Sequence, residues 1–213
     1  MALAAVAGPV RPASAAVPST TTVVLSAVQS AYGEPVTASA AVTTAAGPGE
    51  GDVVFSVDGV AFKASLGASG TASVVLPRAV AGAHAVQATF IPQDPLHEGS
   101  ASPVAGWQVV RVRTRLRVDV TGRRLRNPMV VHVRAAGDHG TTPTGSVRIV
   151  VRHSGRRVRV GNGTLEGGTV RGQVPLPKGP SRRGGYHVRV TYRGDADHLP
   201  APRTLRFRIG GRG

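Results

Sequence analysis

The chain has no cysteine, so a disulfide framework, a thiolate metal site and a cysteine nucleophile are all excluded. Aromatic residues are scarce: one Trp, three Tyr and four Phe in 213 residues. Lysine is nearly absent, with 24 Arg against two Lys. No apolar run approaches the roughly 18–20 residues that a helix needs to cross a bilayer. Nucleophile elbows of the G-x-S-x-G type are missing, as are H-E-x-x-H, the Walker loop and the EF-hand loop. The segment GNGTLEG (161–167) has the wrong spacing for a dinucleotide fingerprint. It also joins strand-like segments without a following helix to hold a phosphate, so a hairpin turn is the better reading. Seven His show no close pairing with a carboxylate at ligand spacing. The expectation is a non-enzymatic chain with no metal and no cofactor.

What is abundant is Gly (28), Pro (16) and positive charge, with a formal net of +15. The charge is uneven. Residues 16–108 hold two cations against six anions, a net of −4. Residues 109–213 hold 23 cations against five anions, a net of +18. Such asymmetry points to a polyanionic partner for the second half alone. A G+C-rich coding sequence also favours Arg, Ala, Gly and Pro, but it leaves the acidic first half unexplained.

Residues 1–16 carry a short apolar stretch, Ala2 to Val10, ahead of the small-x-small tripeptide Ala13-Ser14-Ala15. This reads as an export signal truncated at its start, because the cationic leading region is missing; a disordered Ala-rich tail is the alternative. The export reading implies a secreted or cell-surface protein.

From residue 19 onward, strand-like runs of four to eight residues alternate with Gly, Pro, Asp and Ser clusters. In YHVRVTY (186–192), Tyr186, Val188, Val190 and Tyr192 share one face, opposite His187, Arg189 and Thr191. In LRFRI (205–209), Leu205, Phe207 and Ile209 oppose Arg206 and Arg208. The two halves match segment by segment: TTTVVLS (20–26) with TRLRVDV (114–120), and GPGEGDVVFSVDG (47–59) with TTPTGSVRIVVRHSG (141–155). Likewise AGAHAVQATF (81–90) matches GGYHVRVTY (184–192), which sets His84 against His187. The offset grows from about 94 to about 102, so the second copy carries insertions near its middle. A repeat near 100 residues built from about seven short strands fits an all-β chain of two tandem immunoglobulin-like β-sandwich domains. Their expected bounds are 19–111, acidic, and 112–210, strongly basic. The linker is short, and Trp107 beside it either completes the first core or plugs the seam, the core being favoured.

YGEPVT (32–37), TPTGSVRIVV (142–151), GTLEGGTVRGQVPLP (163–177) and GGYHVRVTYRGDADHLPA (184–201) resemble the bacterial Ig-like domain repeats of large secreted and surface proteins. That family's repeat carries a Tyr-Gly-x-Pro-Val turn, a Thr-Pro-x-Gly-x-Val hairpin and a late Gly-x-His…Tyr-x-Gly-Asp-Ala segment. The first half departs from it at IPQDPLHEG (91–99), and the second at NPMVV (127–131). The resemblance implies a non-catalytic extracellular spacer, surface-display or adhesion module, and names no ligand. The tripeptide Arg193-Gly194-Asp195 belongs to the family's own turn. Asp195 and Asp197 are read as carboxylates that bond to backbone amides, ahead of weak calcium ligands.

One sharper expectation remains. In an Ig-like sheet the third, sixth and seventh strands are neighbours, which would gather Arg148, Arg152, His187, Arg189, Arg206 and Arg208 on one outward face. Like charges opposed across strands cost about 0.2–1 kcal/mol per pair, a repulsion that a polyanion would relieve. Candidate partners are an anionic wall polymer, an acidic polysaccharide or DNA, bound without sequence preference. The alternative is a solvated face whose charge only opposes edge-to-edge aggregation.

Overall fold

The computed structural model describes residues 16–45, 47, 49–121, 128–175 and 183–209. Residues 1–15 of the expected export signal therefore lie outside the described residues. Almost every element is a strand, as short alternating runs between turn formers dictate. The strands are β1 (Ser19–Leu25), β2 (Gln29–Ala31), β3 (Thr37–Thr44), β4 (Gly51–Val57), β5 (Val60–Ser65) and β6 (Thr71–Val75). They continue as β7 (Gly82–Pro92), β8 (Ser100–Ala101), β9 (Ala105–Val110), β10 (Thr114–Thr121) and β11 (Met129–Gly137). A short 3-10 turn at Asp138–Gly140 leads to β12 (Ser146–His153), β13 (Arg156–Thr164), β14 (Thr169–Val174), β15 (Gly184–Tyr192) and β16 (Ala201–Ile209).

Two compact units result. One comprises the described residues up to Val28 with Val36–Leu76 and His84–Trp107; the other comprises Gln29–Pro35, Pro77–Ala83 and the described chain from Gln108. The sequence reading drew a single boundary at 111/112. The compact units divide at Trp107/Gln108, and two segments of the first repeat join the second unit.

The first unit stacks sheet β1-β3-β6 against strands β9-β7-β4-β5, with β8 paired to β7. Its core is built from Ala38, Ala40 and Val42 of β3, Val53 and Phe55 of β4, and Val86, Ala88 and Phe90 of β7, all under 4% exposed. Trp107 is buried in the same unit, its ring centroid 5.4 Å from that of His84, which agrees with the core reading.

The second unit repeats the plan, with sheet β10-β11-β14 facing β13-β12-β15-β16. Inward residues of both sheets form one core: Val131 and Val133, Val147 and Val151, and the fully buried Tyr186, Val188, Val190 and Tyr192. This is the two-sheet order of an immunoglobulin-like sandwich. Within the second unit, β2 also pairs in parallel with the end of β9, Gln29 opposite Gln108.

The repeat is visible in the ladders. Val53 opposes Phe90 as Val147 opposes Tyr192. Counting back two residues at a time, His84 is then the counterpart of Tyr186, not of His187. The sequence alignment of these two histidines was out by one residue, and one residue moves a side chain to the opposite face. His84 accordingly points inward, its side chain 8% exposed, with Nδ1 2.6 Å from the Asp58 carboxylate. His187 points outward.

Phe55 sits at the centre of the first core with no exposed surface. Phe55→Ala should lower unfolding free energy by about 3–5 kcal/mol in urea titrations. A loss below about 1 kcal/mol would contradict its place in the core.

Candidate functional site: an arginine face on the second unit

Alternation along β12 and β15 separates two chemistries. Val147, Ile149 and Val151 go inward, while Arg148, Val150 and Arg152 go outward. On β15 the buried Tyr186, Val188, Val190 and Tyr192 alternate with His187, Arg189 and Thr191. The register aligns the outward residues into rows running across the strands. One row is Asn162, Arg148, Thr191 and Pro202. The next is Val160, Val150, Arg189 and Thr204. The third is Arg157, Arg152, His187 and Arg206, from β13, β12, β15 and β16 in turn.

Nine of these twelve side chains line a cavity of about 420 Å³. Arg148, Arg152, His187, Arg189 and Arg206 all reach it, as does Arg157, and Val150, Thr191 and Thr204 complete its wall. Arg208, the sixth residue expected at the site, is exposed one step further along β16, opposite Gly185, and lies outside the cavity lining.

Arg157 is the residue that the sequence reading missed. The inserted residues of the second repeat lengthen β13 to nine residues, against six for its counterpart β5. A register shift between Val151 and Arg152 then sets Arg157 opposite Arg152. Such a bulge re-aims side chains at a sheet edge. The run Arg156-Arg157 was the available signal, but it lies beside a turn whose length does not reveal the register.

Among the described residues, no carboxylate forms an ion pair with any arginine of this face; the arginine that does pair is Arg115, 3.2 Å from Asp138. The same face of the first unit is not cationic. Its counterparts on β4 and β7 are Val54, Ser56, Ala85 and Gln87. The aromatic residues of β15 and β16 turn away from the face, where Tyr186 stacks on Phe207 at 5.3 Å. Contact here is mainly with charge and hydroxyl groups, because among the described residues no Tyr, Phe or Trp ring faces outward on it and His187 is its one aromatic ring.

A second repeated feature holds the loops beside the sheets. Asp94 and His97 in one unit, and Asp195 and His198 in the other, form the same clasp. In each, the aspartate accepts the histidine's backbone N–H and its ring Nδ1. His198 is 2% exposed. Its Nε2 lies 2.9 Å from the Thr141 hydroxyl, which donates to the Asp138 carbonyl. The loop also pairs with the chain leading into the first strand of its unit: Val17 bridges His97, and Val112 bridges His198. DPLH (94–97) and DADH (195–198) looked like a departure between the repeats; they share the D-x-x-H spacing that makes the clasp. Asp195 thus bonds to backbone amides as expected, including that of Thr144 at 2.8 Å.

Burial alone would push the Asp195 carboxyl up. The amides of Thr144 and Asp197 and the His198 ring outweigh that and hold it well below the usual carboxylate range. A carboxyl whose folded value is depressed adds stability above its ordinary range, and that stability is lost as pH falls through the folded value.

No protein-family model matches the chain, and no curated protein does. Among solved structures, it is similar to the fibronectin(III)-like modules of CbhA from Clostridium thermocellum, at 16% identity and a TM-score of 0.33, covering 88% of this chain and 94% of that one. It is also similar to the adhesin InvE of Yersinia pseudotuberculosis, at 15% identity and a TM-score of 0.45, covering 88% of this chain and 58% of that one. A Ca²⁺-stabilised adhesin with which an Antarctic bacterium binds ice gives 15% identity and a TM-score of 0.36, with 92% and 49% covered. The fold assignment stands on the strand pairing of this chain itself.

Asp195→Asn should cost about 2 kcal/mol or more near neutral pH. The gap from wild type should narrow as pH drops below about 4. Urea melts at a series of pH values measure both, and a gap independent of pH would contradict the carboxylate's role.

Proposed function

We propose that the chain is a non-catalytic, extracellular tandem Ig-like module whose second unit adheres to anionic polymers through its arginine face. The observation that carries this reading is the row Arg157–Arg152–His187–Arg206, set across four hydrogen-bonded strands and lining one cavity. No carboxylate neutralises its arginines among the described residues. Opposed cations of this kind repel one another, and an anionic polymer laid over them removes that repulsion while releasing its own counterions. The first unit, with Val54, Asp58, Ala85 and Gln87 where the second has Arg148, Arg152, His187 and Arg189, acts as spacer and display element. The motif resemblance to bacterial Ig-like surface repeats and the export-like leader support an extracellular setting.

The full chain should bind a labelled linear sulfated polysaccharide. Pairing of the five cavity arginines with the polymer makes the affinity fall about 100- to 500-fold between about 50 and about 200 mM salt. Arg148→Glu, Arg189→Glu and Arg206→Glu together should abolish binding at physiological salt without lowering the melting temperature. Binding that persists in this triple variant, or that ignores salt, would refute the arginine face as the site.

A further inference from the structure

The polyanion reading does not say how the polymer lies, but the rows do. We infer that the ligand is a flexible linear polymer bearing sulfate or phosphate esters, laid across the strands along the Arg157–Arg152–His187–Arg206 row. This inference rests on the adhesion reading above and narrows it.

Three observations carry it. First, only this row is occupied by a basic side chain on every strand of the sheet; the two rows on one side of it each hold a single arginine, Arg148 or Arg189, beside uncharged residues, and on its other side Arg208 stands opposite Gly185. A polymer running along a strand would meet Arg148, Val150 and Arg152 on β12, or His187, Arg189 and Thr191 on β15, with an uncharged side chain in each run. Across the strands it meets a basic group at every step.

Second, neighbouring strands are about 4.8 Å apart. The row therefore presents basic groups at about that interval, over about 14 Å from β13 to β16. A polymer with one ester charge per repeat of similar length can pair with each in turn. A uronate chain with one carboxylate per disaccharide is too sparse to do so. Guanidinium forks suit a pair of the terminal oxygens that a sulfate or phosphate ester offers.

Third, the open depression of about 420 Å³ is of a size that a segment of a single flexible chain fills. With Tyr186, Tyr192 and Phe207 facing inward, single-stranded nucleic acid finds no Tyr, Phe or Trp platform, and the single His187 ring is all the row offers for stacking. The hydroxyls of Thr191 and Thr204 border the row and can donate to ester oxygens.

The test compares two triple variants of the full chain that change equal charge. One carries Arg152→Gln, Arg157→Gln and Arg206→Gln, within the row. The other carries Arg148→Gln, Arg189→Gln and Arg208→Gln, outside it. The probes are a size-graded sulfated oligosaccharide series, poly(glycerol phosphate) and a DNA duplex, and melting temperatures check folding.

The row variant should lose at least about tenfold more affinity than the other for whichever ester polymer binds. His187→Arg, which puts a fourth guanidinium into the row, should tighten binding. Affinity should rise with oligosaccharide length and level off once the chain spans about 14 Å. The sulfated and phosphorylated arms tell which ester is preferred, and either preference fits. Equal losses in the two triple variants would overturn the row while leaving a diffuse cationic face. Tighter binding of the duplex than of both ester polymers would overturn the flexible-chain assignment. If the wild-type chain bound no probe, the adhesion reading would fail, and this inference with it.

Discussion

The two-residue period of the β-strand is the constraint on which everything else in the second unit depends. It sends Tyr186, Val188, Val190 and Tyr192 into a core with no exposed surface. The same period forces His187 and Arg189 to the opposite side. Repeated on β12 and β16, it produces a sheet that is apolar on one face and cationic on the other. Burying the apolar face contributes on the order of 25 cal/mol per Å² removed from water. Against that, the mutual repulsion of a few exposed arginines is a small cost, so the fold can carry a charged face that does nothing for its own stability. A face held at such a cost, in a chain whose first unit shows Val54, Ser56 and Gln87 at the matching places, is best understood through what it meets in solution.

The all-β class and the tandem organisation were legible because the strands alternate cleanly and the turn formers recur between them. The face was legible for the same reason on β12, β15 and β16: five of the six expected basic residues line one cavity. What alternation does not reveal is register. Arg157 depends on a bulge and on a longer β13, neither of which leaves a mark in composition. The pairing of His84 with His187 failed for the opposite reason. A shared residue type at a similar distance from a glycine drew an alignment one position out, and in a strand one position reverses the face. The ladders correct it, because Phe90 and Tyr192 occupy the same place against Val53 and Val147.

The Asp-x-x-His clasp shows how a repeat can preserve an interaction while its surroundings diverge. The aspartate closes the turn with the backbone amides of the second and third residues after it and the third residue's ring, so Pro95 and Leu96 can replace Ala196 and Asp197 without opening it. The surroundings of the ring do differ: His198 Nε2 meets Thr141, whereas His97 Nε2 is buried without a hydrogen-bond partner among the described residues. The clasp ties the loop before the last strand to the chain leading into the first, at Val17 and at Val112. It thereby steadies the sandwich whose outer face bears the arginines.

The central claim is that the outer face of β13, β12, β15 and β16 is where an anionic polymer docks. Amide chemical-shift mapping of the full chain during titration with a sulfated oligosaccharide tests it most directly. The account predicts shifts concentrated at Arg152, Arg157, His187, Arg189 and Arg206, fading on added salt, with the first unit unmoved. Shifts spread evenly over the chain, or centred on the first unit, would contradict it.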